Sequence, residues 1–445
     1  MSDAPARPPS EWNRAFILQL AVTVLATTAM QATRPTMTYR ALSLGASPLE
    51  IGLIQSAFSI LPAITAVAIG RWIDRVGESR YLMLSLATLA VGSAVAFLAP
   101  GLLVLGLAQV ALGLGQIIYL VASQSMVANH GPREGREARY GHYFTVTSIG
   151  QLAGPSIAAA LVGSSILSVA IGSGALLAST GTMAAPLPVQ AVSLVPDNPE
   201  ASVFLFAGIV TLIASGLAFL IPKPVRRSRG AATTGEPQPG ILSMAATVLR
   251  RSGMVSAIFV SITVISSIDV LIAYLPAYGV DVGLSVALVG ILLSVRAGAS
   301  LVSRFFMRQL IAWMGRSRLL GASMLMAGGG LLVMPFVREP AVLIAIMVVV
   351  GLGLGLGQPM TIAWVANRSP RSERATALGV RLTGNRGALL VVPTLMGAIA
   401  GTAGITAIFV VVAGSLAVGA AVALTAAFDD DTLDRPAPTT SDAVA

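Results

Sequence analysis

Along this chain the apolar residues run in long uninterrupted stretches, with polar residues confined to short intervals between them. An amphipathic helix or a half-buried strand would alternate its character with a period of 3.6 or two; most of these stretches show neither. Charge-free stretches of about 18 or more residues predict helices that span a membrane, where the backbone must satisfy its own hydrogen bonds. Twelve spans are predicted, roughly at 14–34, 49–69, 80–99, 101–126, 142–163, 201–222, 253–278, 284–305, 318–337, 340–365, 376–399 and 404–428. Each reaches about 30 Å or more at about 1.5 Å per residue. Residues 164–182 are also apolar and uncharged, and are expected to form an external loop or surface helix. A further span there would carry the Lys223–Arg229 cluster to the opposite side and break the alternation of charge described next.

Basic residues orient the spans. Arg71, Arg75 and Arg80 follow the second span, and Arg133, Arg136 and Arg139 the fourth. Lys223, Arg226, Arg227 and Arg229 follow the sixth, Arg304, Arg308, Arg316 and Arg318 the eighth, and Arg368, Arg371 and Arg374 the tenth. The other connections hold few, with Arg34, Arg40 and Arg338 as exceptions. The positive-inside rule then puts both termini in the cytoplasm, with Met1–Arg14 a short tail before an uncleaved first span. The expected location is the cell (plasma) membrane.

Composition agrees. The 445 residues are 55% hydrophobic and 11% charged, where soluble domains carry about 25% charged residues. A formal charge of +9 would suggest a nucleic-acid partner in a soluble protein, but here the arginines sit at span ends and read as topology. The absence of Cys excludes disulfides and thiolate metal sites, and two His leave little scope for a metal. No metal or cofactor is expected. The run Gly351-Leu-Gly353-Leu-Gly355-Leu-Gly357 lacks the strand and the Lys-Ser/Thr ending of a nucleotide loop, so its glycines read as sites of tight helix crossing. No nucleophile, base and orienting group suggest an enzyme.

The sequence repeats at an offset of 238 positions. Gly45 pairs with Gly283, Ser47 with Ser285, Gly52 with Gly290, Ser56 with Ser294 and Gly77 with Gly315. Val127-Ala128-Asn129 matches Val365-Ala366-Asn367, and Pro132, Arg133 and Arg136 match Pro370, Arg371 and Arg374. Matches of Asn, Pro and Arg in one ungapped register predict duplication: an all-α membrane protein of two pseudo-symmetric six-helix bundles. The halves are placed at 1–222 and 251–445, joined by a flexible cytoplasmic linker at 223–250 that is rich in Gly, Pro, Arg and Thr. Such duplication serves alternating access, two halves rocking about a site near the midplane.

Between spans two and three, Gly70, Asp74, Arg75, Gly77 and Arg80 stand in a short turn. The glycines permit tight turning, and Asp74 can accept charge-assisted hydrogen bonds. With this spacing the chain resembles the major facilitator superfamily, whose loop signature is G-x-x-x-D-R-x-G-R-R; Glu78 departs from it, and the second-half copy has Ala312 at the Asp74 position. The resemblance implies that these residues gate transport and do not bind substrate. Gly141, Gly150, Gly154 and Pro155 follow G-x8-G-x3-G-P in span five. This is similar to the antiporter signature of drug exporters in that superfamily, with Ala158 and Ala159 replacing its last glycine pair. Gly150 and Gly154 share a helix face for close packing, and Pro155 bends the helix.

Charges inside a membrane need a reason, at a cost of about 2.5–3.5 kcal/mol each on the translocon scale. Asp269 in span seven is the acidic residue away from a span end, since Glu50 stands at the very start of span two, and it reads as a proton acceptor, a counter-ion for substrate, or a structural partner of Arg296. Arg34, Arg296, Arg381 and Arg386 are expected to face the cavity, an excess that favours anionic or amphiphilic solutes. Arg381 reads instead as a tie between helices. Gln109 stands where the superfamily's drug exporters carry an Arg, which puts proton coupling through that position in doubt. The expected function is secondary transport of small organic molecules by proton-coupled efflux, from a monomer in contact with membrane lipid. The alternatives are uptake or facilitation of an organic anion, and a non-transporting membrane sensor, which would be expected to add a soluble signalling domain that tails 1–13 and 429–445 are too short to supply.

Overall fold

A computed structural model of the chain describes residues 9–129, 136–172, 199–221, 246–369 and 374–425. Among them twelve helices are long and apolar enough to cross a membrane. They are α1 (Pro9–Ser43), α2 (Pro48–Val76), α3 (Glu78–Phe97), α4 (Leu102–Asn129), α5 (Arg136–Gly172), α6 (Ala201–Phe219), α7 (Met254–Asp281), α8 (Val286–Phe305), α9 (Arg316–Val333), α10 (Pro340–Asn367), α11 (Arg374–Ala403) and α12 (Thr406–Thr425). A short exposed helix, Met307–Met314, turns the chain from α8 into α9.

Several helices outrun their predicted ends, α1 and α5 by the most. α1 continues to Ser43 through Pro35, and α5 continues to Gly172. The segment at 164–182 therefore begins as a continuation of α5 and not as a loop; its remainder lies outside the described residues. The physical reason is that Ser164–Ile171 contains no Pro and no Gly, so nothing stops an apolar helix already under way. Most of the expected linker also lies outside the described residues.

The turns repeat with the sequence. Gly45 and Gly283 take φ of 77° and 76°, a conformation that favours glycine, at the second residue before the N-caps Ser47 and Ser285. Ser47 and Glu50 complete a capping box at the start of α2. Gly77 and Gly315 repeat the device at the starts of α3 and α9, with φ of 108° and 79°. The neighbour relations repeat too: α1 packs on α5 and α6, α2 on α4, and α3 on α4 and α6, while α7, α8 and α9 pack on α11 and α12, α10, and α10 and α12. The result is two six-helix bundles of one design.

The helices are held by close approach, since lipid gives no hydrophobic drive between them. A Cβ on Gly113 would overlap the Phe58 carbonyl, and one on Gly351 would overlap the Arg296 carbonyl. These two crossings, α4 on α2 and α10 on α8, are the same contact shifted by 238 positions. The outward faces stay apolar: Ile64, Leu103 and Phe305 are 75%, 80% and 76% exposed, as side chains bound for lipid should be. The off-pattern arginines are accounted for locally. Arg40 donates to Ala99 O at 2.7 Å beyond the end of α3, and Arg338 donates to Pro335 O at 2.9 Å and to the Tyr278 hydroxyl at 2.7 Å.

Candidate functional site

The bundles meet along two margins, α2 with α11 and α5 with α8, and α1 crosses α7 between them. Small residues let the backbones touch. A Cβ on Gly52 would lie 2.5 Å from Pro393 O, and one on Gly290 would lie 2.8 Å from Pro155 O. The hydroxyls of Ser56 and Thr394 stand 2.9 Å apart, and Ser156 donates to Ser294 at 2.7 Å. Moving each residue of the first margin by 238 positions gives the second: Gly52 to Gly290, Pro393 to Pro155, Ser56 to Ser294, Thr394 to Ser156. These contacts lie toward the face opposite the α2–α3 turn, here called the far face.

Symmetry fails most plainly at Tyr274. Tyr274 of α7 pushes its ring into the α2–α11 margin, and its hydroxyl donates to Pro393 O at 2.7 Å, with Pro48 O at 3.4 Å. The equivalent residue on α1 is Thr36, whose hydroxyl turns back to Ala32 O at 2.8 Å. A narrow crevice of about 10 Å³ remains there, lined by Thr36, Pro155, Ala159, Val286 and Gly290 among others. Those five are the counterparts of Tyr274, Pro393, Gly397, Pro48 and Gly52.

The ionisable groups begin where the margins end. Arg34 lies one turn before Thr38, whose hydroxyl donates to Ala273 O at 2.7 Å, and Asp269 lies one turn before Ala273. Arg296 follows Ser294 by two residues, and Arg386 precedes Pro393 by seven. Given the directions of the four helices, all four groups sit on the linker side of the last margin contact. The Arg34 Nη2 and the Asp269 Oδ1 form an ion pair that joins the bundles, with side chains 16% and 5% exposed. The Arg34 guanidinium also lies 5.0 Å from the centre of the Phe58 ring. Phe58 is the counterpart of Arg296, so an aromatic ring and a guanidinium occupy equivalent places in the two bundles. Arg386 feels the charges of Arg34 and Asp269, and Arg296 those of Arg304 and Arg34.

Arg34, Asp269, Arg296 and Arg386 thus come together. The pairing of Asp269 with Arg296, one of the readings open from sequence, is replaced by Arg34. The reason is depth: Arg34 and Asp269 reach the α1–α7 crossing at one level, whereas Arg296 is about 10 Å away from Asp269 along the helix axes by rise per residue. A signal was present, since Arg34 and Thr38 each lie 235 positions before their partners, close to the repeat offset. Arg381 ties α11 to α10 through Thr361 and Gln358, at 3.1 and 3.4 Å. Gln109 is buried and bonds no arginine directly; it donates to Gln55, which donates to Thr38, at 3.2 and 3.0 Å.

Gly150 packs against Thr27 and Thr28 and Gly154 against Gln31, so α5 lies tightly on α1. Gly141 meets nothing within 4 Å and is exposed, so it is not a packing position, although its neighbour His142 meets Phe16 of α1 edge-on. Gly70 lies within α2, Gly77 forms the turn, and Arg80 is exposed at the start of α3. The side chains of Asp74 and Arg75 lie outside the described residues. Among the described residues no His, Cys, Asp or Glu group has the makings of a metal site.

Comparison with known proteins fits this architecture. The Major Facilitator Superfamily model matches residues 20–337 and 269–443. No curated protein matches the sequence. A bacterial homolog of the human lysosomal transporter Spinster, solved inward-facing and unoccupied, is similar in fold: the TM-score is 0.71 at 15% identity, covering 94% of this chain and 97% of that one. The occupied form gives 0.66 at 17%, with 96% and 99% covered. The nucleoside transporter NupG gives 0.68 at 12%, with 93% and 98% covered.

Proposed function

The chain belongs to the Major Facilitator Superfamily, and from that premise we propose that it is a proton-coupled exporter of small organic molecules whose coupling group is Asp269. It is a multi-pass membrane transporter and not an enzyme. The coupling reading rests on one observation: the buried Asp269 carboxylate holds Arg34 across the joint between the bundles. A proton and the Arg34 guanidinium compete for that carboxylate. With the far face closed, Arg34 takes it and the proton leaves toward the linker side. With the far face open, α1 and α7 separate, Asp269 loses its partner, and a proton from that side binds. Solute moving the other way completes an antiport cycle, in line with the Gly150, Gly154 and Pro155 signature. Arg80 and the Asp74–Arg75 turn would act as the gate on the linker face, which we take to be cytoplasmic.

The test is flux in proteoliposomes under an imposed pH gradient, with a panel of amphiphiles, comparing wild type with Asp269→Asn. The variant is expected to lose gradient-driven flux while keeping counterflow. Gradient-driven flux in the variant at the wild-type rate removes Asp269 as coupling group, and wild-type flux indifferent to the gradient removes antiport altogether. The latter result would favour uncoupled movement of an organic anion, a reading supported by the excess of arginine around Asp269.

A further inference from the structure

Two guanidiniums beside the ion pair have no partner. Arg296 and Arg386 are 5% and 8% exposed, neither guanidinium makes a hydrogen bond among the described residues, and the Arg296 Nε is fully buried without a partner there. Their surroundings add positive charge: Arg34 acts on both, and Arg304 also acts on Arg296. Arg304 has its own partner in Gly355 O at 3.0 Å, and Arg34 has Asp269. Three arginines and one aspartate leave a surplus of two positive charges at the point where the margins end. Buried, unpaired cations are costly, and a fold keeps them only where something else supplies the counter-charge. By contrast Arg381, at similar burial, is bonded to Thr361 and Gln358, as a structural arginine should be.

We infer that Arg296 and Arg386 bind the acidic group of the transported solute, so that the substrate is an organic anion bearing a carboxylate or a phosphate. Each guanidinium presents a planar fork of donors that matches such a group with two parallel hydrogen bonds. The Arg34–Asp269 pair borders the same site, so a bound anion draws on Arg34 and loosens its hold on the carboxylate. Substrate binding and release of the α1–α7 joint are thereby linked. This inference rests on the transport reading above and adds the chemistry of the solute.

The test reads binding at fixed pH with no gradient, so its result is independent of whether Asp269 couples flux to protons. Thermal midpoints of the full chain in lipid nanodiscs are measured with benzoate and phenyl phosphate, and with the neutral benzamide and the cationic benzylammonium as comparators. The anions are expected to raise the midpoint and the comparators to leave it unchanged. Arg296→Gln and Arg386→Gln should each weaken apparent anion affinity about ten-fold or more, the loss of a charged hydrogen bond. Without ligand both variants should melt no lower than wild type, since each removes an unpaired buried charge, whereas removal of a structural arginine lowers the midpoint. No shift by either anion, equal shifts by the comparators, or wild-type anion affinity in both variants overturns the assignment. If a glutamine variant fails to fold, the lysine variant replaces it: reduced affinity upholds the fork geometry, and unchanged affinity overturns it.

Discussion

At the scale of single residues, the ionisable groups separate into those with work inside the fold and those without. Arg40, Arg304, Arg338 and Arg381 each bond a carbonyl, a hydroxyl or an amide oxygen. Arg34 and Asp269 satisfy one another, under the face of Phe58. A double-mutant cycle over Arg34→Gln, Asp269→Asn and the combination should give a coupling of about 1–3 kcal/mol in thermal stability, as for neighbours that share one interaction. Additive effects would show that the pair contributes nothing to holding the bundles together. Asp269, Arg34, Arg296 and Arg386 were legible in the sequence, because a charge in an apolar span is conspicuous. Which charge meets which was marked only by the 235-position spacing of Arg34 and Asp269, because the pairing depends on how the two bundles dock. Tyr274 gave no signal: one aromatic residue in an apolar helix reads as lipid contact until its neighbours are known.

At the scale of elements, α5 shows how one motif divides its labour. Gly150 and Gly154 let α1 lie against it, while Pro155 turns its carbonyl to Gly290 on the other bundle. A larger residue at Gly154 must displace the α1 backbone at Thr28 and Ala32. Gly154→Val is therefore expected to cost about 1–3 kcal/mol by overpacking, and Gly141→Ala to be neutral or slightly stabilising; midpoints in detergent or nanodiscs compare the two. Equal melting of both variants would contradict the packing role. The twelve spans were readable because lipid demands long charge-free helices. Their ends were harder. α1 passes straight through Arg34 and Pro35, and α5 passes its predicted stop because Ser164–Ile171 holds no Gly, Pro or charge to end it.

At the scale of the whole molecule, the bundles touch through glycine, proline carbonyls and hydroxyls, a surface with little side chain to entangle. That suits a joint which must open and reclose. Widening it should hold it open: Gly52→Val and Gly290→Val, singly and together, are expected to raise labelling of a cysteine placed at Ser56 by a reagent applied from the far side. Unchanged labelling in the double variant would mean that these contacts do not set the closed state. Tyr274→Phe removes one hydrogen bond of about 1 kcal/mol, and so should shift the balance of states about five-fold by the same readout. The duplication into two bundles was legible at this scale from the offset of 238, whereas the helices that form the margins were not, because docking is not written in a repeat. The departure at Thr36 and Tyr274 was not, because an alignment of halves shows that two residues differ and not what space the difference leaves.

That departure gives the molecule a weak lip and a strong one. Where α2 meets α11 a phenol plugs the gap; where α5 meets α8 its mirror position is a stub, and the slot beside it stays narrow and unfilled. Hydration should therefore enter at one corner first, wetting Pro155 and Val286 before Pro393 and Pro48, so that the far mouth peels apart instead of parting evenly. Time-resolved hydroxyl-radical footprinting would see that order, and filling the slot with Thr36→Tyr should abolish it.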